Sequence, residues 1–145
     1  MNAHKEQIEA LCRENRLRLM YVFGSRAGEV WALFNGDGKS LPKSASDVDI
    51  AVLPAAALTV DQKVTLALAL EKLFDVERVD LVSLAEADPF LAANVIRGER
   101  LYAFDAYEAD EYDLYVLRRA GDLAEIERER MALVLREEYP KYDAR

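Results

Sequence analysis

In Asp47-Val48-Asp49-Ile50-Ala51-Val52-Leu53, two acids alternate with apolar residues and then give way to an unbroken apolar run that Pro54 closes. Solvated loop acids are ordinarily followed by more polar residues; here Ile50 to Leu53 follows, as in a strand entering a core. On a strand, residues i and i+2 share a face with their Cα atoms roughly 6.5–7 Å apart. Asp47 and Asp49 therefore stand side by side, while Val48, Ile50 and Val52 point the other way, into the core. A third acid, Asp80, sits inside a further apolar run, Val79-Asp80-Leu81-Val82. It lies on a strand able to pair next to the first. Carboxylates planted in strands are costly unless they hold something positive.

Upstream, the strand-like run Leu17 to Phe23 ends at Gly24-Ser25. Glycine lets a backbone approach an anion closely, and free N–H groups at such a turn cradle phosphate oxygens. The Ser25 hydroxyl adds a donor. Arg26 either offers a cationic contact to phosphate or is a solvated surface residue. Mg²⁺ prefers oxygen ligands and keeps phosphate oxygens and waters in its shell. Two such ions about 4 Å apart flank an in-line phosphoryl displacement. Asp47, Asp49 and Asp80 supply the charge for two ions, with Asp80 placed for the attacking side as ligand and proton acceptor. Gly24, Ser25 and Arg26 form the expected nucleotide-binding turn.

The rest of the chain supplies a frame for these residues. Residues 3 to 16 read as a helix with Ile8, Leu11 and Cys12 on one face, Cys12 being a small buried apolar residue there. Ala27 to Phe34 reads as a short helix, and Asn35-Gly36-Asp37-Gly38 as a turn. Thr59 and Gln62 have capping-box spacing, which predicts a helix to about Phe74 with Val60, Val64, Ala67, Leu68 and Leu70 on a wide buried face. Arg78 to Leu84 reads as a strand. Asp88-Pro89 reads as a helix start, Gly98 as its stop, and Arg100 to Phe104 as an edge strand. From Asp105 to about Glu138 the pattern is helical, with Asp105 and Glu108 as a capping pair and a bend or break at Gly121. The expected fold class is α/β (α+β): a small mixed β-sheet with flanking helices, in one domain over 1–145 with a C-terminal helical segment at about 105–138.

Composition narrows the function classes. The 145 residues are 52% hydrophobic, a globular balance, and no stretch approaches the ~20 apolar residues of a membrane span. Met1 to Ala10 lacks the apolar core of a signal peptide, and the lone Cys12 excludes an internal disulfide, so the cytoplasm is the expected location. One histidine and one cysteine exclude a His/Cys metal site or triad. The net charge of −8 opposes a phosphate backbone, and no basic patch is evident along the chain, so no direct nucleic-acid binding and no membrane contact are expected.

The runs Phe23-Gly24-Ser25-Arg26-Ala27-Gly28-Glu29, Ser46-Asp47-Val48-Asp49-Ile50-Ala51-Val52 and Val79-Asp80-Leu81-Val82 resemble the DNA polymerase β-like nucleotidyltransferase superfamily. Within it the chain looks most like the minimal nucleotidyltransferases (MNT) that serve as antitoxins of HEPN–MNT toxin–antitoxin pairs. The resemblance extends over nearly the whole chain, including Ile96-Arg97-Gly98-Glu99-Arg100-Leu101-Tyr102. It implies two Mg²⁺ ions on Asp47, Asp49 and Asp80, Gly24-Ser25 on the triphosphate, and ATP as nucleotide donor. It also implies AMP transfer to a tyrosine of a HEPN ribonuclease partner. The chain departs from the family in one place: residues 26 to 46, 21 in all, separate Gly24-Ser25 from the acid pair, a longer spacing than usual. The surplus falls in the turn-rich Trp31 to Lys43 segment, where insertions cost little entropy.

Two other functions compete with this one. A non-catalytic antitoxin would neutralise its partner by contact alone, and a small-molecule nucleotidyltransferase would resemble the aminoglycoside-modifying kind. The latter is disfavoured because the motif strands and their helices use nearly all of the chain, leaving no acceptor domain. In the tail, Tyr107, Tyr112 and Tyr115 are expected to cover the sheet while the charges form a solvated helix face with i, i+4 pairs. Trp31 is expected to pack beneath the enlarged loop.

Overall fold

A computed structural model describes residues 3–36, 40–44 and 46–138. Four strands form one mixed sheet in the order β3-β2-β1-β4: β1 (Leu17–Phe23), β2 (Val48–Pro54), β3 (Val79–Ser83) and β4 (Glu99–Ala103). Central β1 runs antiparallel to β2 and β4, whereas β2 and β3 are parallel. A parallel pair requires a crossover, and α3 (Val60–Phe74) supplies it. The other helices are α1 (Ala3–Glu14), α2 (Ala27–Phe34), α4 (Pro89–Ile96) and α5 (Ala106–Glu138).

Alternation along the strands divides the core in two. Met20, Val22, Val48, Ile50 and Val52 face α1, α2 and α3, joined by Ile8, Cys12, Leu33, Leu66, Leu70 and Phe74. Leu19, Tyr21, Phe23 and Ala51 face the other way, under Ala92, Val95, Ala109 and Val116 of α4 and α5. Burial pushes the Cys12 thiol well above its ordinary range, as suits an inert apolar filler. Trp31 packs against the first layer and stacks on Phe34 at 5.7 Å between ring centres. On the second face, the buried Tyr21 hydroxyl donates to Asp113 of α5, and Arg100 of β4 donates to the same carboxylate at 2.8 Å and to Asp110 at 3.0 Å. This polar clamp seats α5 on the sheet.

Capping matches the sequence signals closely. Thr59 Oγ1 accepts the Gln62 N–H at 3.1 Å, and Gln62 Oε1 accepts the Thr59 N–H at 2.8 Å, completing the box. Asp88 accepts from the N–H groups of Phe90 and Leu91 with proline at the first turn. Asp105 accepts from Tyr107 and Glu108 N–H groups, but the Glu108 carboxylate turns to Arg18 rather than back to its own helix start.

Four expectations require correction or qualification. The buried face of α3 is Leu66, Leu70 and Phe74, while Val60, Val64 and Leu68 are 75%, 53% and 59% exposed. Every position from Leu66 to Leu70 is apolar, so period alone could not orient the helix. Gly121 neither breaks α5 nor ends it; one glycine in a long helix costs only about 1 kcal/mol. Of the three tail tyrosines only Tyr112 packs against the sheet layer, burial raising its hydroxyl to about 12, whereas Tyr107 and Tyr115 are exposed. Asp37 and Gly38 of the expected turn lie outside the described residues. Among the described residues no helix is long and apolar enough to cross a membrane.

Gly98 seats the end of α4 against β1. A Cβ there would lie 2.2 Å from the Val22 carbonyl oxygen and 3.0 Å from Phe23 Cα, both backbone atoms that cannot swing aside. Gly98→Ala is expected to destabilise the protein by about 2 kcal/mol, typical of core overpacking, measurable as a lower midpoint in urea.

Candidate active site

The parallel register of β2 and β3 sets Asp49 opposite Asp80, and Val48 opposite Val79. Asp47 immediately precedes β2 and lies on the same alternation as Asp49. Val48, Ile50 and Val52 are fully buried on the opposite face while Asp47 and Asp49 are half-exposed. All three acids therefore lie at one end of the sheet, on its second face. Burial raises the Asp49 carboxyl above its ordinary value, the charges of Asp80 and Asp47 raise it further, and hydrogen bonding to Asp80 adds to the shift. Such mutual strain among carboxylates marks a place where positive charge is missing.

Gly24 completes the site. It ends β1 in the left-handed region, φ +79°, and a Cβ at this position would lie 2.2 Å from Asp49 Oδ2. The glycine turn and the Asp49 carboxylate thus occupy adjoining space, which only a residue without a side chain permits. Ser25 is exposed beside it, ahead of α2.

Arg26 is not a solvated surface residue. It is 4% exposed, with Nε donating to Glu29 at 3.1 Å, one terminal nitrogen to the Pro42 carbonyl at 2.5 Å and the other to the Ser46 carbonyl at 3.3 Å. Its guanidinium ties the enlarged loop to the residue just before Asp47. The cation beside the acids is instead Arg78, whose Nε lies 4.0 Å from Asp47 Oδ1. Sequence reasoning passed over it, although Arg78 stands two residues before Asp80, on the alternation that carries Asp80.

The donor set suits a hard divalent cation: carboxylates only, at a glycine turn open to an anion. Among the described residues no three acidic, histidine or cysteine side chains are gathered tightly enough to cage one ion. Asp47 leans toward Arg78 while Asp49 and Asp80 pair. Mg²⁺ commonly needs only one or two carboxylates, with phosphate and water filling the remaining positions, so this arrangement fits a cation arriving with a nucleotide.

A strand-borne acid pair, a third acid in parallel register and a glycine turn on a small mixed sheet define a nucleotidyltransferase. Residues 6–110 match the family model described as polymerase beta, nucleotidyltransferase, and the chain belongs to that family. No match emerges among curated proteins. Among solved structures, the chain is similar to one from a MntA–HpeT toxin–antitoxin complex in doubly substituted form, 26% identical over 90% of this chain and 94% of that one, TM-score 0.66. A toxin–antitoxin complex with AMP-PNP gives 27% identity over 90% and 94%, TM-score 0.63. A tri-AMPylated Shewanella oneidensis HEPN toxin in complex with MNT antitoxin gives 26% over 90% and 92%, TM-score 0.62.

Two substitutions probe this geometry. Gly24→Ala is expected to cost about 1 kcal/mol, because a Cβ is unfavourable at positive φ, and to swing Asp49 aside; thermal denaturation should move slightly while nucleotide-dependent activity falls sharply. Asp49→Asn should act in the opposite sense on stability. The folded protein holds the Asp49 proton more tightly than the unfolded chain, so stability falls as pH rises through the ordinary carboxylate range to the raised value, and stays lowered at neutral pH. The metal-free Asn variant should therefore melt at or above the parent's Tm at pH 7, and the difference should vanish below the ordinary carboxylate range.

Proposed function

We propose that this chain is a Mg²⁺-dependent nucleotidyltransferase that moves AMP from ATP to a tyrosine hydroxyl of a HEPN-type toxin and thereby acts as its antitoxin. The observation that carries the proposal is the register pairing of Asp49 with Asp80 beneath the Gly24 turn. The named relatives support the particulars: one toxin is AMPylated in complex with its MNT antitoxin, another complex holds AMP-PNP, and a third carries Asp-to-Glu changes at two aspartates two positions apart. That spacing is the spacing of Asp47 and Asp49.

Asp47, Asp49 and Asp80 would hold Mg²⁺, which supplies charge neutralisation at the triphosphate and at the attacking oxygen. The Gly24-Ser25 backbone and the Ser25 hydroxyl bind phosphate oxygens, with the left-handed glycine keeping Asp49 close behind them. Asp80 takes the proton of the acceptor hydroxyl as its oxygen bonds to the α-phosphorus and the bond to pyrophosphate breaks. Arg26 acts at a distance from phosphate, holding Ser46 and so the approach to Asp47. Arg78 pairs with Asp47 until a cation takes its place.

The test is incubation with α-labelled ATP, Mg²⁺ and a HEPN-type toxin, the product of the adjacent gene being the first candidate. Label should appear on a toxin tyrosine and disappear with Asp47→Asn/Asp49→Asn, by at least about 10³-fold, as for loss of charge stabilisation at a transition state. Unlabelled toxin that is nevertheless neutralised, equally well by the double variant, would replace catalysis with inhibition by contact.

A further inference from the structure

The opposite end of the sheet carries a second constellation. Phe23 pairs with Asp49 at one end of β1 and Leu17 with Pro54 at the other; six residues at about 3.3 Å each put these ends roughly 20 Å apart. At the Leu17 end, Arg13, Arg16 and Arg18 meet Tyr102 and Phe104 around a cavity of about 240 Å³, with Ala55 at its edge. The three arginines lie within six residues of one another, and folding brings Ala55 after β2, Tyr102 of β4 and Phe104 just past β4 against them.

Each group has a distinct standing. Arg18 is ion-paired with Glu108 and lies over one face of the Phe104 ring, 4.6 Å from its centre. Phe104 is 64% exposed. Arg13 lies in the last turn of α1, where a cation complements the helix dipole. Arg16 has no such explanation. It is held in the left-handed region at φ 52°, where its carbonyl accepts the Ala55 N–H at 3.0 Å. Glycine or asparagine closes a helix there at least cost, yet an arginine occupies it. Neither the Arg13 nor the Arg16 guanidinium has a hydrogen-bond or ion-pair partner among the described residues.

We propose that this cavity binds a nucleoside monophosphate, with the phosphate on Arg13 and Arg16 and the base against Phe104. Guanidinium forks match phosphate oxygens in pairs, and an aromatic face takes a base without regard to its identity. The volume admits little more than one ring and one phosphate. The separation from Asp49 means that one nucleotide cannot serve both places.

The experiment is calorimetric titration of the Asp47→Asn/Asp49→Asn protein in EDTA, which removes nucleotide and metal binding at the acids, with AMP, adenosine and inorganic phosphate. AMP should bind more tightly than either fragment. Arg16→Gly should weaken AMP roughly tenfold or more, equivalent to about 1.4 kcal/mol, while raising Tm, because the backbone strain goes with the side chain. Phe104→Ala should weaken AMP and leave phosphate binding unchanged. AMP binding unaltered by both substitutions would overturn the proposal, as would phosphate binding as well as AMP. A 5′-phosphorylated single-stranded RNA that binds far more tightly than AMP would also overturn it, by making the occupant a strand.

Discussion

The contact on which this molecule turns is between like charges. Asp49 and Asp80 are brought side by side by parallel pairing of β2 and β3, and Asp47 adds a third charge from the same alternation. Burial and repulsion together raise the Asp49 carboxyl, so the site is held in an unfavourable state that the remaining fold must sustain. The two hydrophobic layers do so. Val48, Ile50 and Val52 are fully buried directly behind the acids, and displacing any acid outward would drag apolar residues from that core. Each valine or isoleucine contributes roughly 1.5–3 kcal/mol by burial, enough to outweigh a half-exposed carboxylate cluster.

The enlarged segment between Gly24-Ser25 and the acids introduces a second difficulty, since a longer loop leaves the position of Asp47 less defined. Arg26 answers it. Its buried guanidinium is compensated by Glu29 and by the Pro42 and Ser46 carbonyls, contacts that the loop itself supplies. A buried cation without partners would be prohibitively costly, so the loop and the arginine require one another. The Gly24-Ser25 turn, the enlarged segment and Asp47 thereby become one unit.

What could be read from the sequence followed from short-range alternation. The acids, the glycine turn, the strand limits and the Thr59 and Asp88 caps all rest on residues within a few positions of one another. Orientation was harder. The stretch Leu66 to Leu70 is apolar on almost every side, so the sheet, not the period, chose Leu66, Leu70 and Phe74. Arg26 could equally have been a phosphate contact or a surface residue from its position beside Ser25; its burial depends on carbonyls 16 and 20 residues away. The three arginines at the far end are neighbours in sequence, Arg13 to Arg18, and read locally as solvated charges at a helix end; only the fold brings Tyr102 of β4 and Phe104 just past it against them.

The site also depends on α3, although that helix lies on the opposite face of the sheet. Asp80 meets Asp49 only if β3 starts in the right register, and β3 is the strand that follows the crossover. Glu71 of α3 accepts the Val79 N–H at 3.0 Å, and its carbonyl accepts the Val76 N–H at 3.0 Å, so one helix residue fixes the turn and the first residue of the strand. Asp75 closes the helix at φ 54°, and Lys63 near its start reaches Glu86 just past β3 at 2.8 Å. A helix pinned at both ends to the strand it feeds cannot slide by one residue without losing these contacts together. A one-residue slip would turn Asp80 to the opposite face, where Leu66, Leu70 and Phe74 are packed. Registry of the acids is thus enforced from the face of the sheet opposite to them.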